Sequence, residues 1–195
     1  MATLSISSIN GSQIITSSVG ESSSSSSSIV SDGTTTTSSV SLSTETTTIS
    51  ITSINNNDTV KGGQDNDILT GGNGNDVLCG NLGTDSITGG KGADTFVLTV
   101  DPANPITNPL LADVITDFNK SDGDKIGLAQ GLVAVQLVFE AFDSNSDNKA
   151  DATLIKLGAN AKDGILAVVL GTIDAAGLTL ISQTDFTTIS ADILA

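Results

Sequence analysis

The sequence predicts an all-β chain whose centre is a parallel β-roll, a right-handed β-solenoid, closed by a C-terminal β-rich cap region. Three observations predict it. A nine-residue unit recurs in four unbroken copies, from Gly62 to Val97. Each copy carries an Asp and, two positions after it, an apolar residue that a three-residue strand would turn inward. Beyond residue 126 the chain falls into apolar runs punctuated by Gly158, Gly164, Gly171 and Gly177, the pattern of strands joined by turns.

Composition sets the terms on which such a chain can fold. With 195 residues it holds one ordinary domain or two small ones, yet it has only five Phe and no Trp or Tyr. Its core therefore rests on Ile, Leu, Val and Ala, which suit narrow ladder-like packing. The 22 Asp and Glu against seven Lys leave a formal charge of -15. That charge repels phosphate backbones and anionic headgroups, so neither nucleic acid nor a membrane surface is an expected partner. With no His in the chain, His-based zinc sites, Ser-His-Asp triads and Cys-His pairs are excluded, and the chain is expected not to be an enzyme. Cys79 is the single cysteine, so no intrachain disulfide forms and the residue reads as a small side chain in a strand. The first twenty residues show neither a basic start nor an apolar run, and no stretch reaches the roughly 18 apolar residues of a membrane span. Membrane insertion is not expected, and neither is a cleaved leader.

Three segments follow in order. Residues 1–57 are a Ser/Thr-rich segment, with 31 Ser or Thr. Its low apolar content is that of a flexible arm, while Leu4-Ser5-Ile6, Val40-Ser41-Leu42 and Ile49-Ser50-Ile51 alternate as strands do. Residues 38–57 are expected to extend the solenoid, with 1–37 divided between strand and disorder. Residues 58–125 hold the roll and its closing strands, including Ala112 to Phe118 after the prolines at 102, 105 and 109. Residues 126–195 form a β-rich cap, with strands expected at 132–139, 152–157, 165–170 and 178–181 and a short helix near 183–189.

In register, the repeats begin at Gly62, Gly71, Gly80 and Gly89, and a degenerate copy from Ser53 to Lys61 precedes them. An Asp stands at the sixth position of every copy: Asp58, Asp67, Asp76, Asp85 and Asp94. Glycines at the first position and at Gly74, Gly83 and Gly92 allow sharp turns that aim backbone carbonyls into one small volume. A carboxylate added to converging carbonyls makes a cage of hard oxygens. Calcium takes six to eight such ligands at about 2.3–2.6 Å. The eighth residues Leu69, Leu78, Ile87 and Phe96 turn inward and stack. Two nonapeptides make one coil, so Asp58, Asp76 and Asp94 share one edge and Asp67 and Asp85 the other. Asp65 adds a carboxylate where the other copies carry Gly, and Asn81-Leu82 makes the third copy the least regular. About two to four Ca2+ ions are expected between loops. A single Gly-Asp or Asn-Asp turn would read as an ordinary surface turn; the unbroken period is what separates this chain from that reading.

The repeat resembles the calcium-binding nonapeptides of the repeats-in-toxin (RTX, hemolysin-type) family, most fully in residues 71–79 and 89–97. The resemblance covers about a fifth of the chain. It implies a parallel β-roll exported by a type I secretion apparatus that reads an uncleaved C-terminal signal. The chain would then be extracellular or on the cell surface. Residues 92–98, 113–118 and 123–128 are also similar to the C-terminal region of calcium-binding surface proteins of cyanobacteria. That pattern implies that Asp113, Asp117 and Asp124 contribute to the last calcium site or to a cap. The expected function is calcium binding by a non-enzymatic secreted or surface protein that folds on extracellular calcium. The alternative is a structural or adhesive surface protein, with Thr rows in residues 1–57 as an ice-binding face, whose calcium sites serve stability alone. Cell-surface contact or self-association through the solenoid ends fits either reading.

Overall fold

The computed structural model describes the strand backbones at residues 3–9, 12–18, 27–31, 37–39 and 49–53, and residues 57–100, 105–129, 131–158 and 164–190. The nonapeptides form β6 (Thr59–Gly63), β7 (Ile68–Asn73), β8 (Val77–Asn81), β9 (Ser86–Lys91) and β10 (Thr95–Leu98). Even-numbered strands lie in one sheet and odd-numbered strands in the other up to this point, because each loop carries the chain from one sheet across to its opposite. Neighbours within a sheet are parallel and 18 residues apart, as in Val60 opposite Leu78 and Leu69 opposite Ile87. This is the winding of a β-roll.

Both sheets continue in each direction. Toward the N-terminus, β5 (Ile49–Ser53) pairs with β7 and β3 (Ser27–Ser31) with β5, while β4 (Thr37–Ser39) pairs with β6. The strands β1 (Thr3–Ile9) and β2 (Ser12–Ser18) form a separate antiparallel pair. The Thr rows proposed as a face in residues 1–57 fall mainly outside the described side chains. Toward the C-terminus, β11 (Asp113–Ile115) adds to β9 and β12 (Lys125–Leu128) to β10. The eight-stranded sheet then ends in an antiparallel meander of β15 (Ile165–Leu170), β14 (Ala152–Leu157) and β13 (Leu137–Phe142). The six-stranded sheet ends on β16 (Phe186–Thr188), parallel to β12.

Two ladders of apolar side chains face each other between the sheets. One sheet supplies Val60, Leu78, Phe96 and Ile126, the other Leu69, Ile87, Ile115 and Val169, each at 1% exposure or less. Four of the five phenylalanines form two ring pairs. Phe96 meets Phe118 at 6.2 Å between ring centroids, and Phe139 stacks on Phe186 at 5.5 Å.

The cap differs from the sequence expectation in three places. Residues 134–136 form a 3-10 turn, which delays the first cap strand to Leu137. Residues 178–181 form no strand; a tight turn at Asp174 to Gly177 leaves only an isolated bridge between Ile173 and Thr179. The expected helix near 183–189 is a 3-10 turn over Gln183–Asp185, capped by Ser182 and followed at once by β16. Its β-branched residues Thr187 and Thr188 favour the strand.

Candidate metal centre

The sixth-position aspartates are drawn inside by their neighbours' backbones. Asp76 Oδ1 accepts the Asp58 N–H at 2.7 Å, Asp85 Oδ1 the Asp67 N–H at 2.8 Å and Asp94 Oδ1 the Asp76 N–H at 2.8 Å. The ladder passes beyond the repeats: Asp113 Oδ1 accepts from Asp85 and Asp124 Oδ1 from Asp94. Asp58, Asp76, Asp94 and Asp124 therefore line one edge, and Asp67, Asp85 and Asp113 the other, all seven buried. A second ladder that the sequence reading did not single out runs one residue earlier. Asn57 and Asn75 Oδ1 accept the N–H of Asn75 and Ala93, and Asn66 Oδ1 that of Thr84. Asp bonds toward the preceding coil and Asn toward the following one, so together they fasten each coil on both sides. The signal was present as an Asn before three of the repeat aspartates.

The other carboxylate oxygens point at the first-position glycines. A methyl group placed on Gly71 would lie 2.5 Å from Asp76 Oδ2 and 2.5 Å from the Gly89 carbonyl oxygen. On Gly62 it would lie 2.5 Å from Asp67 Oδ2 and 2.6 Å from the Gly80 carbonyl oxygen. Gly80 and Gly89 are likewise faced by Asp85 Oδ2 and Asp94 Oδ2. Oxygens from adjacent coils thus converge where glycine leaves a side chain's volume empty. Asp76, Asp85 and Asp94 Oδ2 are buried without any hydrogen-bond partner. A buried anionic oxygen with no donor carries a large desolvation cost, and a hard cation relieves it. Among the described residues no point gathers three His, Cys, Asp or Glu side chains. A cation here would accordingly draw most of its ligands from backbone carbonyls.

Electrostatics agree with that chemistry. Burial, and next the neighbouring Asp113 charge, push the Asp85 carboxyl well above the usual range, and burial does the same to Asp113. Burial raises Asp94 to about 6, with the charges of Asp124, Asp76 and Asp117 adding to it. Asp76 and Asp124 are raised chiefly by burial as well.

The remaining predicted residues divide by position. Gly74, Gly83 and Gly92 take φ of 136°, 131° and 123°, a region that favours glycine. Gly83 packs on the Asp65 carbonyl and Gly92 on the Gly74 carbonyl of the coil before. Asp65 itself does not adopt a positive φ, so the first loop turns differently from the other three. In the third copy Asn81 takes the left-handed conformation at φ 71°, where Gly72 and Gly90 have 104° and 102°. Asn is among the few residues that tolerate it, which is why the irregular repeat keeps its turn. Asp117 gives both oxygens to backbone N–H groups, Oδ1 to Gly89 and Oδ2 to Gly90. It closes the last turn, as Asp124 does by accepting from Asn119.

Residues 54–87 and 80–98 match the RTX calcium-binding nonapeptide repeat, in four copies. No curated protein matches the chain at a significant level. Among solved structures, the chain is similar to the AlgE6R3 subunit of the Azotobacter vinelandii mannuronan C5-epimerase, seen in solution. Identity is 26%, the match covers 72% of this chain and 77% of that one, and the TM-score is 0.48. The nine-residue period, the two-sheet winding and the matching profile agree, and residues 54–98 of this chain are RTX calcium-binding nonapeptide repeats wound into a parallel β-roll.

Proposed function

We propose that this chain is a non-enzymatic secreted or cell-surface protein whose roll folds when extracellular calcium enters between its coils. The observation that carries the reading is the set of buried, unpartnered Oδ2 atoms on Asp76, Asp85 and Asp94. The cradle of Gly71, Asp76 and Gly89 and that of Gly62, Asp67 and Gly80 each offer a carboxylate and a carbonyl from adjacent coils. They are the best candidates for the first two ions. Asp85 with Asp113 and Asp94 with Asp124 are candidates for two more, which matches an expected total of about two to four. Asp117 serves the closing turn in this reading, and Asp65 is a peripheral carboxylate.

Without a cation, like charges stacked coil on coil oppose the fold, and calcium binding supplies folding free energy. Extracellular calcium modules bind at about 10⁻⁴–10⁻³ M, so such a roll is empty in cytosol and filled outside. That suits passage through a type I apparatus as an extended chain. Residues 58–125 would form the calcium roll, 126–195 the cap that ends it, and 1–57 its N-terminal extension. The absence of His from the chain favours a binding role over catalysis.

The test is a calcium titration of chelator-stripped protein, followed by circular dichroism and calorimetry with magnesium as control. A calcium-specific gain of β signal with two or more ions bound is expected. A full β signal before calcium is added, unchanged by it, would overturn the folding switch.

A further inference from the structure

The second nonapeptide carries Asn73 at its third position, where the other copies carry Gln64, Leu82 and Lys91. Among the described residues Asn73 is the one asparagine that stands directly before a glycine, Gly74. That pair has its own chemistry. The main-chain nitrogen after an asparagine closes on the side chain's Cγ when the chain is free to turn, and a glycine there has no Cβ to obstruct the approach. In this step Gly74 N bonds to Asn73 Cγ, the nitrogen's proton passes to the carboxamide, and the side-chain nitrogen leaves as ammonia. Water then opens the cyclic imide at either of its carbonyls. One product is aspartate; the other is isoaspartate, whose main chain runs through the former side chain and gains a backbone carbon.

The wound roll withholds the attacking nitrogen. Asn73 ends β7 at an exposed position, opposite Lys91 of the next coil in the same sheet. The Gly74 N–H donates to the Lys91 carbonyl at 2.8 Å. The Gly74 carbonyl lies against Gly92 so closely that a methyl group there has no room. Both polar groups of Gly74 therefore face the following coil, and its φ of 136° is set by that stacking. Ring closure requires the nitrogen to leave the Lys91 carbonyl and give up its proton. It proceeds from a chain in which these two coils have separated, as exchange of a protected amide does.

We propose that Asn73 is a deamidation site gated by the fold: the wound roll protects it, separation of the coils releases it, and conversion to isoaspartate prevents rewinding. The position gives the change its effect. Asn73 lies between Gly71 and Asp76, which with Gly89 form one of the cradles described above. Coils pair at a constant separation of 18 residues, so a backbone atom added at 73 shifts Asp76 against both the Asp58 N–H and Gly89. The gate is the winding itself; the calcium reading enters only as the agent that closes it.

The experiment holds the full chain in warm, mildly alkaline buffer with saturating calcium, with chelator, or with guanidinium chloride, while circular dichroism records which samples are wound. Cleavage after Lys61 and Lys91 releases residues 62–91, and fragment masses read the exchange of NH2 for OH at Asn73 against Asn66, Asn75 and Asn81 of the same peptide. In guanidinium Asn73 should convert ahead of those three. In the wound, calcium-loaded chain its conversion should be slower by about tenfold or more. The chelator sample should follow its dichroism, fast if the β signal is lost and slow if it is kept, so a failure of the calcium reading is seen separately from a failure of this one. Denatured protein that has aged and is returned to calcium should recover less β signal as isoaspartate accumulates. Asn73→Gln puts at this position the side chain that the first copy has in Gln64 and lengthens it beyond the five-membered ring, so it should recover fully after the same treatment. Equal conversion in the wound and denatured chains, no lead of Asn73 over its neighbours in guanidinium, or full recovery of the isoaspartate form overturns the proposal.

Discussion

Asp76 is 1% exposed, with one carboxylate oxygen bound to the Asp58 N–H and the other bound to nothing. The two oxygens have separate tasks, and substitutions separate them. Asp76→Asn keeps an Oδ1 acceptor for the ladder but removes the charge. Calcium affinity should fall by about tenfold or more in calorimetry, while saturating calcium still restores the β signal. Asp76→Ala removes the acceptor as well, so its calcium-saturated form should also lose about 1–3 kcal/mol of stability in urea titrations. A second expectation concerns pH. Burial lifts the Asp94 carboxyl from 3.8 to about 6, and lifts Asp85 and Asp113 in the same direction. Between an unfolded aspartate's range and these raised values, the metal-free folded chain holds more protons than the unfolded one. Its stability must then fall as pH rises from about 4 toward 8. Calcium binds the ionised carboxylates and reverses the sign. The β signal in chelator, expected to grow as pH falls from about 8 toward 4, and the thermal midpoint in saturating calcium, expected to fall over the same range, check both slopes.

The last coil shows how single elements are held at the end of the roll. Asp124 accepts from Asp94 and Asn119, which fixes the loop before β12. From that loop Lys120 reaches the Asp185 carboxylate at 2.7 Å and also bonds the Leu180 carbonyl, while Lys125 donates to the Thr184 carbonyl at 3.1 Å. Burial alone would raise the Asp185 carboxyl, but the Lys120 and Ser182 hydrogen bonds hold it below the usual range. Two lysines, one in the loop before β12 and one at the start of β12, thus bind the turn before β16, and among the described strands β16 pairs with β12 alone. Lys120→Met leaves a buried carboxylate without its cation. Because Lys120 is 40% exposed, the cost should be about 1 kcal/mol. It should appear locally, as faster hydrogen exchange at Phe186 to Thr188 with unchanged exchange in β7 to β9.

At the scale of the whole molecule, charge and topology oppose each other. A net charge of -15 favours expansion, and the sheets are built from contacts that are local only in steps of one coil. On the proposed reading, calcium seated between coils relieves the repulsion and fastens the steps together. The chelator-stripped chain should have a larger hydrodynamic radius than the calcium-loaded one, and magnesium at equal concentration should leave it expanded. Magnesium demands a tight octahedron and dehydrates reluctantly, which a cage built mainly of backbone carbonyls does not suit. Dynamic light scattering or small-angle scattering checks this; equal radii in calcium and chelator would contradict it.

The sequence alone determined the roll, because its period is written in chemistry that only one winding satisfies. A Gly-turn-Asp-strand unit each nine residues fixes the sheet alternation, the two aspartate edges and the inward ladder of Leu69, Leu78, Ile87 and Phe96. The cap strands at 152–157 and 165–170 were legible for a related reason: Ile165 to Leu170 is an unbroken apolar run between Gly164 and Gly171, and Ala152 to Leu157 is a mostly apolar run that stops at Gly158. Residues 132–139 and 178–181 misled because an apolar run states a preference for burial and not a partner, and the neighbouring turns decided that Val133, Val135, Leu178 and Leu180 remain exposed. The tertiary structure alone decided what the carboxylates beyond the repeats do. Asp113 and Asp124 continue the ladders across 28 and 30 residues, while Asp117 is spent on two glycine N–H groups. No local pattern encodes those separations, since they depend on the path of the intervening loops. The orphaned oxygens over Gly71, Gly80 and Gly89 are likewise a property of coils in contact, visible only once one turn is stacked on the next.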